Sequence, residues 1–371
     1  MIEASHTGLP LPRVGEGWGE GLGMVADPHP DPLPQAGEGA EALPAPPAIA
    51  VVMATYRRPE LLLRCLHALT HQRLPAQDYE VIVVDDGRDE ATRRAVEGVA
   101  QRTQGRPRVR YLPAPHTDGR RGPAAARNAG WRATEAPVIA FTDDDTVPHA
   151  EWLLEGLRAM RHNRVAVSGR VVVPLEGTPT DHARNTAGLE TAEFVTANAF
   201  VARDALERVG GFDERFRRAW REDSDLHFSL LDRCGPVGWA PKAVVVHPVR
   251  RMPWGASISQ QANVAFDALL FKKHPQLFRQ KVRRRPPLHY LAIVGSTLLA
   301  LGCALAQAWG WAGGFAALAL AGILGFAAYR LRGTAKTPSH IAEMLVTSAV
   351  IPYAAVYWRL VGAWRFKVLS P

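Results

Sequence analysis

The sequence predicts an α/β protein: a mixed, mostly parallel β-sheet of Rossmann-like type with helices on both faces, followed by C-terminal helices that cross a membrane. Three observations predict it. Between Ala48 and about residue 145, apolar runs of strand length alternate with segments of helical spacing, the pattern of parallel strands joined by crossover helices. Those runs end in carboxylates, most densely in VIAFTDDDTVP, Val138 to Pro148. From Leu288 to Tyr329 there is no Asp, Glu, Lys or Arg, and that length suffices for two bilayer crossings.

The first strand, Ala48 to Ala54, is a continuous apolar run, and Pro59 opens a helix whose Leu61, Leu62, Cys65, Leu66 and Leu69 recur at helical spacing. The second, YEVIVVDDG, ends in Asp85 and Asp86 before Gly87 and a charged helix carrying Arg93 and Arg94. The third, PRVRYLPA, leads to TDGRRGPAAARNAGWRAT, a Gly-rich loop feeding a helix, and the fourth is PVIAFTDDD. Ligands of such sheets bind beyond the carboxyl ends of the strands. Thr55, Asp85, Asp86, Asp143, Asp144 and Asp145 all fall there.

One acidic strand end alone is more often a solvated turn. Two in one sheet, with an Arg-rich loop between them, favour a nucleotide diphosphate and its divalent cation, Mg²⁺ or Mn²⁺, since such ions are held by carboxylates together with substrate phosphates. Adjacent like charges raise one another's pKa unless a cation offsets them. GxxxxGK[ST] and GxGxxG are both missing from the sequence, so neither a P-loop nor a dinucleotide fingerprint holds the phosphates.

Composition bounds the partners. The 44 Lys and Arg outnumber 36 Asp and Glu, for a net charge of +8. Arg279, Lys281, Arg283, Arg284 and Arg285 sit directly before the apolar block, which points to a membrane surface and not to nucleic acid. Cys65, Cys234 and Cys303 form no CxxC pair, so a disulfide framework or zinc site is not expected. Residues 1 to 47 are rich in Gly and Pro and repeat related phrases, LPLPRVGEGWGEG and DPLPQAGEGAEALP. Such composition predicts disorder. The phrases resemble translated intergenic repeats of GC-rich bacterial genomes, so a start downstream and a flexible tail are both consistent with them.

The segments VVMATYRRPELLLRCLHAL, YEVIVVDDG, GPAAARNAGWRA, VIAFTDDDTVP and GGFDERFRRAWREDSDLHFSLLDRCG together resemble the family 2 glycosyltransferases of the GT-A fold, in the family's order from about residue 48 to 250. The resemblance implies a hexosyltransferase that uses a UDP-, GDP- or dTDP-sugar and a divalent cation. Asp85 and Asp86 would then contact the donor base, with Thr55 and Arg58 lining the same pocket and Arg127 and Asn128 on the flanking helix. Asp143 and Asp145 would form the DxD pattern, Asp145 as direct metal ligand and Asp144 nearer the ribose. Asn198 would border the donor and acceptor sugars.

Glycosyl transfer needs a base for the acceptor hydroxyl, set apart from the metal. WREDSDL, Trp220 to Leu226, offers the carboxylates; by resemblance Asp223 of the Glu222–Asp223 pair is the base, giving inversion. Taken alone, REDSD is equally an exposed helix start. His247, after the strand that follows, is a metal-ligand candidate by resemblance, although a lone histidine is more often structural. Arg250 and Arg251 either close over the diphosphate or face anionic lipid. Processive relatives carry QxxRW where this chain has SQQANVAF, which favours single-sugar addition.

The expected organisation is a disordered segment at 1–47, a GT-A domain at 48–285 and a membrane region at 286–371. That region holds two spanning helices, about 288–308 and 311–329, and a third segment, about 340–362, that either spans or lies in the interface. Basic residues flank both outer ends of the helical pair, so the positive-inside bias predicts a multi-pass protein of the bacterial inner membrane with a cytoplasmic catalytic domain. Membrane attachment implies a lipid or lipid-linked saccharide acceptor. Two other readings stand beside this one: an inert membrane-bound sugar-nucleotide binding protein, against which the intact Asp145 and Asp223 count, and a nucleotidyltransferase, which would carry a Gly-rich phosphate loop near the first strand.

Overall fold

The computed structural model describes residues 46–116, 121–162 and 165–371. The N-terminal segment expected to be disordered lies outside the described residues up to position 45, as do positions 117–120 of the Gly-rich loop. The elements follow in chain order: β1 (Ile49–Thr55), α1 (Pro59–Thr70), β2 (Tyr79–Asp85), α2 (Glu90–Thr103), β3 (Arg108–Pro113), α3 (Pro123–Arg132), β4 (Val138–Thr142), β5 (Val147–Pro148), α4 (Trp152–His162), β6 (Ala166–Val172) and α5 (Asp181–Ala187). Then come β7 (Asn198–Ala202), α6 (Arg203–Val209), α7 (Glu222–Arg233), β8 (Gly238–Val246), α8 (Ala256–Ser259), α9 (Ala265–Lys273), α10 (Pro275–Leu277), α11 (Leu288–Leu305), α12 (Trp309–Leu331) and α13 (Pro338–Phe366).

The eight strands form one sheet in the order β3-β2-β1-β4-β7-β6-β8-β5. β3, β2, β1 and β4 run parallel, as their alternation with helices requires, whereas β7 is antiparallel to both β4 and β6. Every residue of β2 and all but one of β1 are buried. Successive strand side chains point to opposite faces, so both faces of the sheet are covered there. Close helix-to-sheet approach explains the glycine of NAGW: a Cβ at Gly130 on α3 would lie 2.4 Å from Val52 Cγ1 on β1.

Three C-terminal helices are long and apolar enough to cross a membrane. Only 11% of α11 and 17% of the most apolar stretch of α12 are buried, against 39% for that of α13. The difference has a cause in packing. α13 is tied to the body near its start by Gly255 N donating to Glu343 Oε1 at 2.8 Å, and at its end by Lys272 Nζ donating to Phe366 O at 3.0 Å. Near that end Gly362 abuts α9 so closely that a Cβ would lie 2.4 Å from Ala265 O. Between them Tyr353 Oη meets Thr297 Oγ1 of α11 at 2.7 Å. The end of α12 is fixed as well, by buried Arg330, which donates to Asp181 Oδ2 at 2.8 Å and to Thr347 Oγ1 at 2.6 Å.

The Gly362 contact is backbone against backbone, so no side-chain rotation relieves it. Gly362→Val is expected to lower stability by about 1–3 kcal/mol, the usual consequence of overpacking, read as a lower melting midpoint in detergent. An unchanged midpoint would mean that α13 is not seated on α9.

Candidate functional site

Parallel register assembles the site. Thr55 at the end of β1 lies opposite Asp85 at the end of β2, and β4, the neighbour of β1 on its other side, delivers Asp143, Asp144 and Asp145. The three aspartates diverge. Asp144 turns to β1 and α1: Thr55 Oγ1 donates to its Oδ2 at 2.7 Å and Arg58 Nη1 to its Oδ1 at 3.2 Å. Burial pushes the Asp144 pKa up, against the downward pull of Arg58 and Thr55. Asp143 turns to α3, where Arg127 Nη2 donates to its Oδ1 at 2.8 Å. Desolvation opposes the charge on Asp143, but Arg127 and His247 outweigh it and hold this carboxyl below the ordinary range.

Asp145 turns the third way, to the strand across the sheet. The short β5 pairs Val147 with Val246 of β8, which brings the next residue, His247, alongside. Its Nε2 stands 3.7 Å from Asp145 Oδ1, and Arg250 Nε stands 2.8 Å from Asp145 Oδ2. One ligand atom each from Asp143, Asp145 and His247 lies within 4.8 Å of the others. Asp145 Oδ2, although beside the Arg250 guanidinium, makes no hydrogen bond of good geometry, and the buried His247 Nδ1 has no hydrogen-bond partner. Two carboxylates and an imidazole with buried, unused lone pairs are a donor set suited to a divalent cation.

The second acidic cluster opens α7. Arg221 precedes the helix in the left-handed region, at φ 73°, and its Nε donates to Asp267 Oδ1 at 2.8 Å. Glu222 and Asp223 follow in the first helical turn, where the helix dipole favours negative charge. Asp223 Oδ1 accepts from Ser224 N at 2.6 Å. Glu222 Oε1 accepts from Arg127 Nη1 at 3.1 Å, while its Oε2 is buried without a partner. The buried Arg127 guanidinium, which faces the Phe212 ring, therefore joins the two carboxylate clusters. Burial, and then the neighbouring Asp223 charge, raises Glu222 to about 7, and burial raises Asp223 too.

Asp86 faces the same end of the sheet, accepting from Gly122 N at 3.1 Å to each oxygen, with His116 Nε2 at 3.2 Å from Oδ1. Three expected site residues are placed otherwise. Asp85 is fully buried and accepts from Gly87 N, Asp89 N and the Tyr111 hydroxyl, at 2.8, 2.7 and 3.1 Å; it builds the turn from β2 to α2. Asn128 spends its amide on Phe212 N and O, Glu214 and Trp131, stapling α3 to the GGFDE loop. Asn198 is fully buried as well. It accepts from Trp152 Nε1 at 2.8 Å and donates to Arg170 O and Ala243 O at 2.9 Å, spanning the irregularity where β6 meets β8. Gly169 makes room for that amide, since a Cβ there would lie 2.2 Å from Asn198 Oδ1.

Sequence reading missed Asp267, which holds Arg221 and Trp220 in front of the acidic pair. A lone carboxylate in the apolar run AFDALLF was the available signal, because a buried charge needs a partner. It also missed Lys273 and His274, which hold Asp225 of α7 at 2.7 and 3.1 Å.

The sequence pattern of Glycosyl transferase family 2 matches residues 50–221, and that of Glycosyl transferase family group 2 matches residues 138–361. The chain belongs to the family 2 glycosyltransferases. Among relatives of this glycosyltransferase, Glycosyltransferase AglE of Haloferax volcanii is 28% identical over 230 residues, covering 59% of this chain and 72% of the relative. Validoxylamine A glucosyltransferase of Streptomyces hygroscopicus subsp. jinggangensis is 34% identical over 280 residues, 62% of each. In fold, the chain is similar to the solved structure "Mannosyltransferase PcManGT from Pyrobaculum calidifontis in complex with GDP-Man and Mn2+", with a TM-score of 0.50 and 18% identity over 86% of this chain and 88% of that one. The sheet and its helices are thus a GT-A fold, carrying three apolar helices at the C-terminal end.

Glu222 titrates near 7 in the folded chain against an ordinary 4.5. The folded state therefore holds the extra proton between those values, and this group's contribution to stability is full below about 4.5 and lost as pH rises through about 7. For a general base drawn from this pair, kcat/KM is expected to rise with pH along a limb centred near 7. Glu222→Gln removes the like charge beside Asp223, moving that limb to lower pH and flattening the melting midpoint between pH 4.5 and 7. A limb that stays in place would show that Glu222 does not titrate with Asp223.

Proposed function

We propose that the chain is an inverting, metal-dependent glycosyltransferase that moves one sugar from a nucleotide-diphosphate sugar to an acceptor at the membrane surface. The observation that carries this reading is the Asp143–Asp145–His247 cluster and the Glu222–Asp223 pair standing on either side of one buried guanidinium. Asp143, Asp145 and His247 would hold Mn²⁺ or Mg²⁺, which when bound neutralises the departing diphosphate electrostatically. The similar fold solved with GDP-Man and Mn2+ supports a nucleotide-sugar donor and a divalent ion.

The chain's own residues do the rest. Asp86, at the end of β2, contacts the donor base, while Thr55 and Arg58 orient Asp144 towards the ribose. Arg250, already beside Asp145, is placed to meet the diphosphate. Asp223 takes the proton from the acceptor hydroxyl, its raised pKa keeping it basic enough for that task, and attack on the face opposite the leaving group inverts the anomeric centre. Arg127 holds Glu222 so that the base keeps its position relative to the metal ligands.

The acceptor reading rests on the C-terminal helices. A cavity of about 650 Å³ lies between α5, the loop after β8 and helices α12 and α13, lined among others by Arg250, Arg251, Met252, Arg330 and Glu343. It reaches from the neighbour of Asp145 to the apolar helices, a route suited to a lipid or lipid-linked saccharide. In this reading α11 and α12 span the bilayer, α13 lies along the interface where its contacts with α9 hold it, and the catalytic domain, residues 48–285, faces the cytoplasm of a bacterial cell beneath the inner membrane.

Detergent-solubilised protein with Mn²⁺ is expected to release nucleoside diphosphate from one member of a nucleotide-sugar panel. Asp223→Asn should lower kcat about 10²–10⁴-fold, and Asp145→Asn or chelation should abolish turnover, with a β-linked product from an α-linked donor. Pyrophosphate as product, a retained anomeric configuration, or full activity in the Asp223 variant would each defeat the proposal.

A further inference from the structure

Arg359 on α13 is the anomaly in the membrane region. The residue is 7% exposed, its Nη1 has no hydrogen-bond partner, and Nη2 donates to Ser370 O. Among the described residues no carboxylate pairs with it. The Asp267 carboxylate acts on it only from beyond ion-pair distance, and a buried guanidinium without a direct counter-ion is unfavourable, so this point of the fold suits an added anion.

The surroundings say which anion. Arg359 lines a cavity of about 420 Å³ that contains a second guanidinium, Arg279, and no acidic side chain. The Arg279 guanidinium lies over the Phe271 ring, 4.8 Å from its centroid, and is not ion-paired among the described residues. The rest of the wall is mostly apolar, with Leu291 39%, Leu360 58% and Leu369 65% exposed at its edge, and is closed on one side by Ser370 and Pro371. Arginine pairs are suited to the several acceptor oxygens of a phosphate, and an apolar rim suits acyl chains. No residue of this cavity belongs to the Asp143–Asp145–His247 cluster or to the Glu222–Asp223 pair.

We propose that Arg359 and Arg279 form a binding site for the phosphate of one anionic phospholipid, separate from the transferase site, which completes the seat of α13 on the body. A free phosphate ion shares the chemistry but makes no use of the exposed leucines. The site takes a lipid whatever the donor or acceptor of the enzyme proves to be.

The test uses the full chain in detergent micelles containing equal dioleoylphosphatidylglycerol and dioleoylphosphatidylcholine, with retained lipid counted by native mass spectrometry. The wild type is expected to keep one phosphatidylglycerol with a preference of about tenfold or more, the scale of a charge-assisted hydrogen bond. Arg279→Gln should weaken that preference, Arg359→Met should abolish it, and Arg102→Gln, on the distant α2, should leave it unchanged. In micelles holding phosphatidylcholine alone, Arg359→Met should melt no lower than the wild type, because it removes an uncompensated buried charge. Equal retention by the wild type and Arg279→Gln would overturn the proposal even if Arg359→Met failed to fold. So would complete displacement of the lipid by inorganic phosphate at the same concentration, which would assign the site to the free ion.

Discussion

One buried guanidinium organises this enzyme. Arg127 donates one nitrogen to Asp143 and another to Glu222, joining the loop after β4 to the first turn of α7. The proposed reaction places two demands on carboxylates that conflict when they are close together, because ligands of a cation would have to stay ionised while a base would have to hold its proton affinity. Arg127 pulls Asp143, Glu222 and Asp223 all down, and what separates them is burial, with the Asp223 charge beside Glu222, on one side and the further cations His247 and Arg250 at Asp143 on the other. Asp143 is held below the ordinary carboxylate range and the Glu222–Asp223 pair above it, although all lie within reach of one cation. Such divergence between neighbouring groups is how one site runs acid and base roles at the same pH.

The surrounding polar residues serve that arrangement without entering it. Asn198 spans the irregularity between β6 and β8, and β8 in turn presents His247 to Asp145. Asn128 fixes the GGFDE loop that leads into α7, and Asp85 folds the turn below Asp86. Asp225, gripped by Lys273 and His274, holds α7 itself. A polar side chain that is fully buried and fully hydrogen-bonded is part of the frame, however close in sequence it stands to the chemistry.

This explains what was legible in the sequence. The strand-end carboxylates were readable because parallel strands deliver their ends to one edge, and the apolar helices from Leu288 because a charge-free block of that length has the composition of a membrane span. The roles of Asp85, Asn128 and Asn198 were not readable, since a motif records residue type and order but not which way an amide or carboxylate turns. Antiparallel β7 escaped too: its five buried residues carry no mark of direction. The Arg127 bridge to Glu222, 95 positions away, and the service of Asp267 to Arg221 depend on tertiary pairing. The double nature of α13, apolar enough to span yet bonded to the body at both ends, likewise appears only with the fold.

The central claim is that Arg127 acts by coupling the two clusters, and a double-mutant cycle on kcat/KM tests it most directly, with Arg127→Met, Glu222→Gln and the pair compared under saturating Mn²⁺. If the guanidinium works through Glu222, the double variant will lose no more than Arg127→Met alone, within about threefold, because the second change removes an interaction already gone. Losses that multiply would contradict the account and make the two residues independent contributors.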